Sequence, residues 1–207
     1  MEKKILNLFL FNNKLKFNEI QKLLKIRSNK LAYHLKNLVK KQILIKKQNN
    51  YQISEAFEYL IPYISDKQAV LPVILIHIGN NKKALLYNRQ KRPYKNYLSL
   101  PGGRFLIKES IQQATKRIMK QKFNLSAKLK KINSISLEQV KKSDKTIHSF
   151  LLIFVRAEPE KKQQIKLTNI KNNKSKIIPS DYKLLTTNLD SEIKIKTINS
   201  KLREFMK

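Results

Sequence analysis

The sequence predicts a two-unit chain: a small α+β unit of helices closed by a hairpin, followed by an α/β/α sandwich. Three observations predict it. Apolar residues recur at helical spacing through the first forty positions, then give way to short apolar runs from residue 70 onward. Only three glycines occur, Gly79, Gly102 and Gly103, where roughly 14 would follow from about 7% usage. Two of them are adjacent, which marks a place where the backbone needs positive φ or close approach. Finally, Asp66-Lys67-Gln68 is a polar break between the two textures, setting the units at 1–66 and 69–207.

In the first unit, Ile5, Leu8 and Phe9 form one helical face, and Asn12-Asn13 ends it. Asn18 is the expected cap of a second helix, with Gln21 three residues on and Ile20, Leu23 and Leu24 buried. After the turn Lys25–Arg27, Ser28 is the expected cap of a third helix. That helix buries Leu31, Leu35, Leu38 and Val39, at i, i+4, i+7 and i+8. Ile43-Leu44-Ile45 and Tyr51-Gln52-Ile53 flank a turn in which Asn49-Asn50 tolerates positive φ. A fourth helix over Glu55–Ile64 closes the unit. Helix, helix, short turn, helix and hairpin make a winged helix-turn-helix.

In the second unit, Val73–Ile78, Ala84–Tyr87, and parts of Lys128–Ser136 and Ile147–Ala157 read as strands. Glu109–Phe123 reads as a helix with Ile111, Ala114, Ile118 and Phe123 apolar. Lys161–Lys176 reads as a loop around a weak strand, Gln164–Leu167. Ser180 or Asp181 caps a helical turn, and Ser191–Met206 completes the chain as a last helix. Strands around a central helix with a terminal helix give a layered α/β architecture.

Composition sets the outer limits. There is no cysteine, hence no disulfide, thiolate metal site or cysteine nucleophile. The longest apolar run, Ala69–Ile78, is too short for a bilayer and contains Pro72. Lys3 and Lys4 precede only a brief apolar stretch, so no leader peptide is expected, and a cytoplasmic protein without a membrane partner is. The net charge of +31 favours a polyanionic partner. Lys, Asn and Ile are also what an AT-rich genome over-encodes, and the charge is spread. Residues 1–68 hold 14 Lys and Arg against 5 acids, and the remainder 31 against 9.

Arg27-Ser28-Asn29-Lys30-Leu31-Ala32-Tyr33-His34-Leu35-Lys36-Asn37-Leu38 resembles the recognition helix of arsenic-repressor-type winged-helix regulators. The resemblance implies double-stranded DNA as partner. Arg27, Ser28, Asn29, Lys30, Tyr33, Lys36 and Asn37 are then the candidates to meet base edges and phosphates. Lys46 and Lys47 on the hairpin would meet backbone phosphates. His34 has no partner at ligand spacing and reads as a packed or phosphate-facing side chain rather than a metal ligand. A homodimer is expected, with Leu60, Ile61, Tyr63 and Ile64 as its apolar contacts.

Gly103, Glu109, Arg117, Met119 and Leu125, following Leu100-Pro101-Gly102, resemble the Nudix box, G-x5-E-x7-R-E-U-x-E-E-x-G-U, over residues 103–125. The resemblance implies a Nudix-type sandwich. Gly102, Gly103, Glu109 and Arg117 would serve as its scaffold. It also implies Mg²⁺ or Mn²⁺ held by three glutamates at i, i+3 and i+4. Here those positions are Ile118, Gln121 and Lys122. The box's second glycine is Asn124, a tolerable left-handed substitute. No catalytic residue, resident metal or cofactor is therefore assigned; a metal is needed only if the chain is a hydrolase. Arg104, Lys108, Lys116, Lys120 and Lys122 supply charge that could hold phosphates directly.

The leading expectation is a DNA-binding transcription regulator whose degenerate Nudix domain senses a nucleotide-like ligand or serves as a dimerisation body. It resembles Nudix-related regulators with the domain order reversed. The alternative is a Nudix hydrolase of nucleoside diphosphate derivatives tethered by a winged helix.

Overall fold

A computed structural model of the chain describes residues 1–63, 69–161 and 164–199. Two compact units, Met1–Ala69 and Val70–Lys207, each have their own core, and together they give a mixed α+β fold. Among the described residues no helix is long and apolar enough to cross a membrane. The Asp66–Gln68 break lies outside the described residues.

The first unit runs α1 (Glu2–Leu8), β1 (Leu15–Lys16), α2 (Phe17–Leu24), α3 (Ser28–Lys40), β2 (Leu44–Lys47) and β3 (Asn50–Ile53). The strands form one antiparallel sheet in the order β1-β3-β2. Ile5 and Phe9 from the α1 end, Ile20 from α2, and Leu31, Leu35 and Leu38 from α3 close on Leu15 and Leu44. Leu23, expected on the buried face of α2, is instead 55% exposed. The apolar stripe of α3 is spent on this core, which leaves its opposite side to solvent.

Local chemistry departs from expectation at several ends. Asn18 does not cap α2. The helix starts at Phe17, and the Glu19 carboxylate accepts the Lys16 N–H at 2.6 Å, a three-residue reach back to the cap residue. Ser28 is the first residue of α3. Arg27 holds the extended cap position without a side-chain cap bond. In the hairpin the positive φ falls on Gln48 (53°) rather than on Asn49 or Asn50. The expected fourth helix is a 3₁₀ run, Glu55–Tyr63.

The second unit contains β4 (Leu71–His77), β5 (Lys83–Ala84), β6 (Tyr87–Asn88), β7 (Leu98–Ser99), β8 (Gly102–Arg104), α4 (Ile111–Phe123), β9 (Ala127–Lys142), β10 (Lys145–Pro159), β11 (Thr168–Asn169) and α5 (Pro179–Thr187). The main sheet has the order β8-β4-β10-β9. β4 and β10 are parallel, with Ile74 opposite Ile153 and Leu75 opposite Phe154. Alternation divides these strands between two cores. Ile74, Ile76, Ile153 and Val155 face Ala114, Ile118 and Met119 of α4. Leu75, Leu152 and Phe154 face Leu184 and Leu185 of α5. The result is helix, sheet, helix.

α4 begins with a reciprocal cap: Ser110 Oγ accepts from the Gln113 N–H, and Gln113 Oε1 accepts from the Ser110 N–H at 2.7 Å. It ends at Asn124 in left-handed backbone (φ 51°, ψ 33°). The weak strand expected at Gln164–Leu167 is instead the two-residue β11, paired with β5. Residues 191–199 contain no helix; Ile193 makes a single bridge to Ile132 on β9. The remainder of the expected last helix lies outside the described residues.

Candidate functional site

On α3, Arg27, Ser28, Asn29, Lys30, Tyr33 and Lys36 are exposed and Asn37 is half-buried. The polar residues thus occupy the side that Leu31, Leu35 and Leu38 do not need. Tyr33 is 64% exposed and meets the His34 ring edge-on, 5.3 Å between centroids. At the β2–β3 hairpin Lys46 and Lys47 are exposed, and the Lys46 ammonium lies 5.8 Å from the Tyr51 ring centroid. Of the expected dimer contacts, Tyr63 is exposed, the side chains of Leu60 and Ile61 are not described, and Ile64 lies outside the described residues.

In the second unit, β8 and α4 build a loop-and-helix cradle. A Cβ on Gly102 would lie 2.7 Å from a Leu75 methyl and 2.9 Å from the Ile74 carbonyl. One on Gly103 would lie 3.0 Å from Ile118 Cγ1. Close approach of backbone to core, not positive φ, is therefore what these two glycines provide. Glu109 and Arg117 fasten the loop to the helix. Arg117 Nε donates to Glu109 Oε2 at 2.8 Å and Nη2 to Oε1 at 2.7 Å. Nη2 also reaches the Arg104 carbonyl at 2.9 Å, and Glu109 Oε1 accepts the Leu106 N–H at 2.6 Å. Such a two-pronged charged bond fixes geometry as well as adding energy. The Arg117 hydrogen bond, opposed by partial burial and helped by the Leu106 N–H, holds the Glu109 carboxyl below its ordinary range.

The metal implied by the sequence resemblance does not fit this cradle. Ile118 is 1% exposed in the core. Gln121 is a neutral surface side chain. Lys122 points its ammonium at the loop, donating to the Gly102 carbonyl and to the Tyr87 hydroxyl at 3.3 Å. Among the described residues no group of three His, Cys, Asp or Glu is placed to hold a cation. Of the other expected phosphate contacts, Lys116 is paired with Glu160 at 2.9 Å. Arg104, Lys108 and Lys120 are exposed.

Sequence reasoning missed a buried polar cluster on the other side of the sheet. Asp181, 3% exposed, does not cap α5. Its Oδ2 accepts the Leu100 N–H at 2.8 Å and the Ser99 hydroxyl at 3.1 Å. Burial pushes its carboxyl up to about 7 against the pull of those two bonds. Beside it is a small cavity of about 70 Å³ whose walls include Tyr94, Ser99, Glu138 and Phe150. The Tyr94 hydroxyl donates to Glu138 Oε1 at 3.4 Å. No spacing in the sequence links residues 94, 99, 138 and 181; only the sheet brings them together.

No protein-family model matches this sequence, and no curated protein matches it. Among solved structures, the chain is similar to a NUDIX hydrolase from Nitrosomonas europaea, with TM-score 0.46 and 17% identity, over 58% of this chain and 70% of that one. It is similar to a MutT NUDIX hydrolase from Burkholderia pseudomallei, with TM-score 0.47 and 12% identity, over 59% and 99%. A UDP-X diphosphatase gives TM-score 0.45 and 15% identity, over 77% and 78%.

Proposed function

We propose that the chain is a DNA-binding regulator. In this reading the first unit is a winged helix-turn-helix that contacts double-stranded DNA. The second is a Nudix-type domain that binds a nucleotide-like ligand without hydrolysing it. The observation that carries the reading is the polar face of α3, exposed beside a hairpin bearing Lys46 and Lys47. A helix whose apolar stripe is fully used by its own core, with amides and cations on the other side, suits the major groove. The reversed charge at Lys122 supports the non-hydrolytic half, because an ammonium there favours phosphate oxygens over a divalent cation.

The recognition face is tested by binding to a selected DNA site and to random sequence. Asn29→Ala and Lys30→Ala are each expected to weaken the selected site about tenfold, as loss of a base contact does. Lys47→Ala is expected to weaken all sequences alike and to lower the salt slope by about one. Equal losses on both DNAs for all three variants would remove α3 as the reading helix.

A homodimer is part of the same reading, since winged-helix regulators meet paired half-sites. Light scattering in the presence of DNA is expected to give twice the 24.4 kDa chain mass for the protein component. A monomer with and without DNA would refute it.

A second reading is a Nudix hydrolase of nucleoside diphosphate derivatives in which the winged helix is a tether. The kept Glu109–Arg117 pair favours it. It requires metal ligands other than those of α4, and turnover separates the two readings.

A further inference from the structure

The Lys122 ammonium has two partners, the Gly102 carbonyl and the Tyr87 hydroxyl, which use two of its three donors. Its Nζ lies 5.2 Å from the Tyr87 ring centroid. Tyr87 meets Phe123 edge-on, with centroids 5.7 Å apart. These side chains wall a cavity of about 300 Å³ whose lining holds three basic residues, Arg89, Lys91 and Lys122, and no acidic one. The Arg89 guanidinium donates to the carbonyls of Lys91, Arg92 and Pro93, which shapes residues 89–93 around the opening while keeping the charge at the wall. A divalent cation would find no carboxylate here and three like charges. A dianion finds the reverse, next to two aromatic rings.

We propose that this cavity is a metal-independent site for a diphosphate carried on a planar ring system, in which Lys122 is the built-in counter-ion. The third Lys122 donor and Lys91 take the phosphates, and the Tyr87–Phe123 pair takes the ring. The volume is at the small end of ligand sites and suits a nucleoside diphosphate better than a dinucleotide. The proposal rests on the reading of the second unit as a nucleotide-binding domain. It adds the location of the site and its ionic requirement.

Calorimetric titration of the full chain with ADP and with pyrophosphate, at physiological salt, in EDTA and then in excess Mg²⁺, tests it. ADP is expected to bind in EDTA, and Mg²⁺ is expected not to tighten it. Lys122→Met keeps the stem beside Tyr87 and is expected to weaken ADP at least tenfold. Lys91→Met, on an exposed loop, gives a second reading of the same cavity and is expected to weaken ADP severalfold. Tyr87→Leu is expected to cost ADP about fivefold and pyrophosphate, which has no ring, less than twofold. Lys130→Met, whose ammonium is paired with Glu158, is expected to change ADP binding less than twofold, which excludes a general charge effect. ADP binding that needs Mg²⁺, or that survives both Lys122→Met and Lys91→Met, would overturn the site and leave a nucleotide-binding domain standing. Failure of both ADP and pyrophosphate to bind wild-type protein at millimolar concentration would overturn that reading and the site with it.

Discussion

Ile118→Glu is expected to destabilise the second unit by about 4 kcal/mol or more, the largest loss of any single change at the cradle. Ile118 packs on the sheet against Gly103 of β8, with Ile74, Ile153 and Val155 in the same core. The substitution removes about 2–3 kcal/mol of apolar burial and leaves a carboxyl with no cation or donor to answer it. Gln121→Glu and Lys122→Glu lie on the exposed side of α4, so each is expected to cost no more than about 1 kcal/mol. Denaturant unfolding of the three variants gives the ordering. Ile118→Glu within about 1 kcal/mol of wild type would mean that position 118 can turn outward, and that a third carboxylate is available to a metal after all.

The second large effect concerns pH, through two buried groups whose shifts oppose. His77 is fully buried. Burial, followed by the charge of Arg156, lowers its imidazole from 6.5 to about 4. The unfolded chain therefore binds this proton first, and the stability His77 contributes above pH 6.5 is lost as pH falls toward 4. Asp181 runs the other way. Its carboxyl is raised from 3.8 to about 7 by burial, against the bonds from Leu100 and Ser99, with Glu138 adding to the rise and Arg89 opposing it. The fold keeps a proton that the unfolded chain releases, so this contribution is full below about pH 4 and is lost as pH rises to 7. Each slope reaches about 1.4 kcal/mol per pH unit, and between pH 4 and 6.5 they nearly cancel. His77→Phe is expected to leave stability falling by about 3 kcal/mol across that window. Asp181→Asn, which keeps the acceptor, is expected to leave it rising by a similar amount. Guanidinium midpoints at pH 4, 5.5 and 6.5 measure both; two variants that parallel wild type would contradict the assignment.

What was legible in the sequence depended on range. The apolar periods of α3 and α4 are local; the Ser110–Gln113 cap is local too but went unread, and the helix expected from Glu109 begins at Ile111. The near-absence of glycine made Gly102-Gly103 stand out, because a composition that avoids glycine keeps it where a Cβ would strike the core. Strand β1 is only two residues long and exists because Tyr51 and Asn50 are there to pair with it, so it carries no period of its own. Asp181 read as a helix cap because a short acid at a helix start usually is one. Leu100 and Ser99, eighty positions earlier, claim it instead. The Lys122–Gly102–Tyr87 contact spans the same kind of gap. Reversal of charge at position 122 was readable, but its carbonyl and aromatic partners were not. The expected last helix failed over residues 191–199 for a related reason. Asn133 on β9 donates to the carbonyls of Asn188, Leu189 and Ser191, holding the chain in a turn where helical periodicity alone suggested continuation.

The central claim, binding in place of hydrolysis, is tested most directly by turnover of the wild-type chain. ADP-ribose, NADH, dinucleoside polyphosphates and oxidised nucleotides are offered in Mg²⁺ and then in Mn²⁺. The expected result is no product above roughly 0.1 s⁻¹, well under the usual enzymatic range. Turnover above that rate, abolished by EDTA and retained through further purification, would contradict the claim and give the chain to the hydrolase reading.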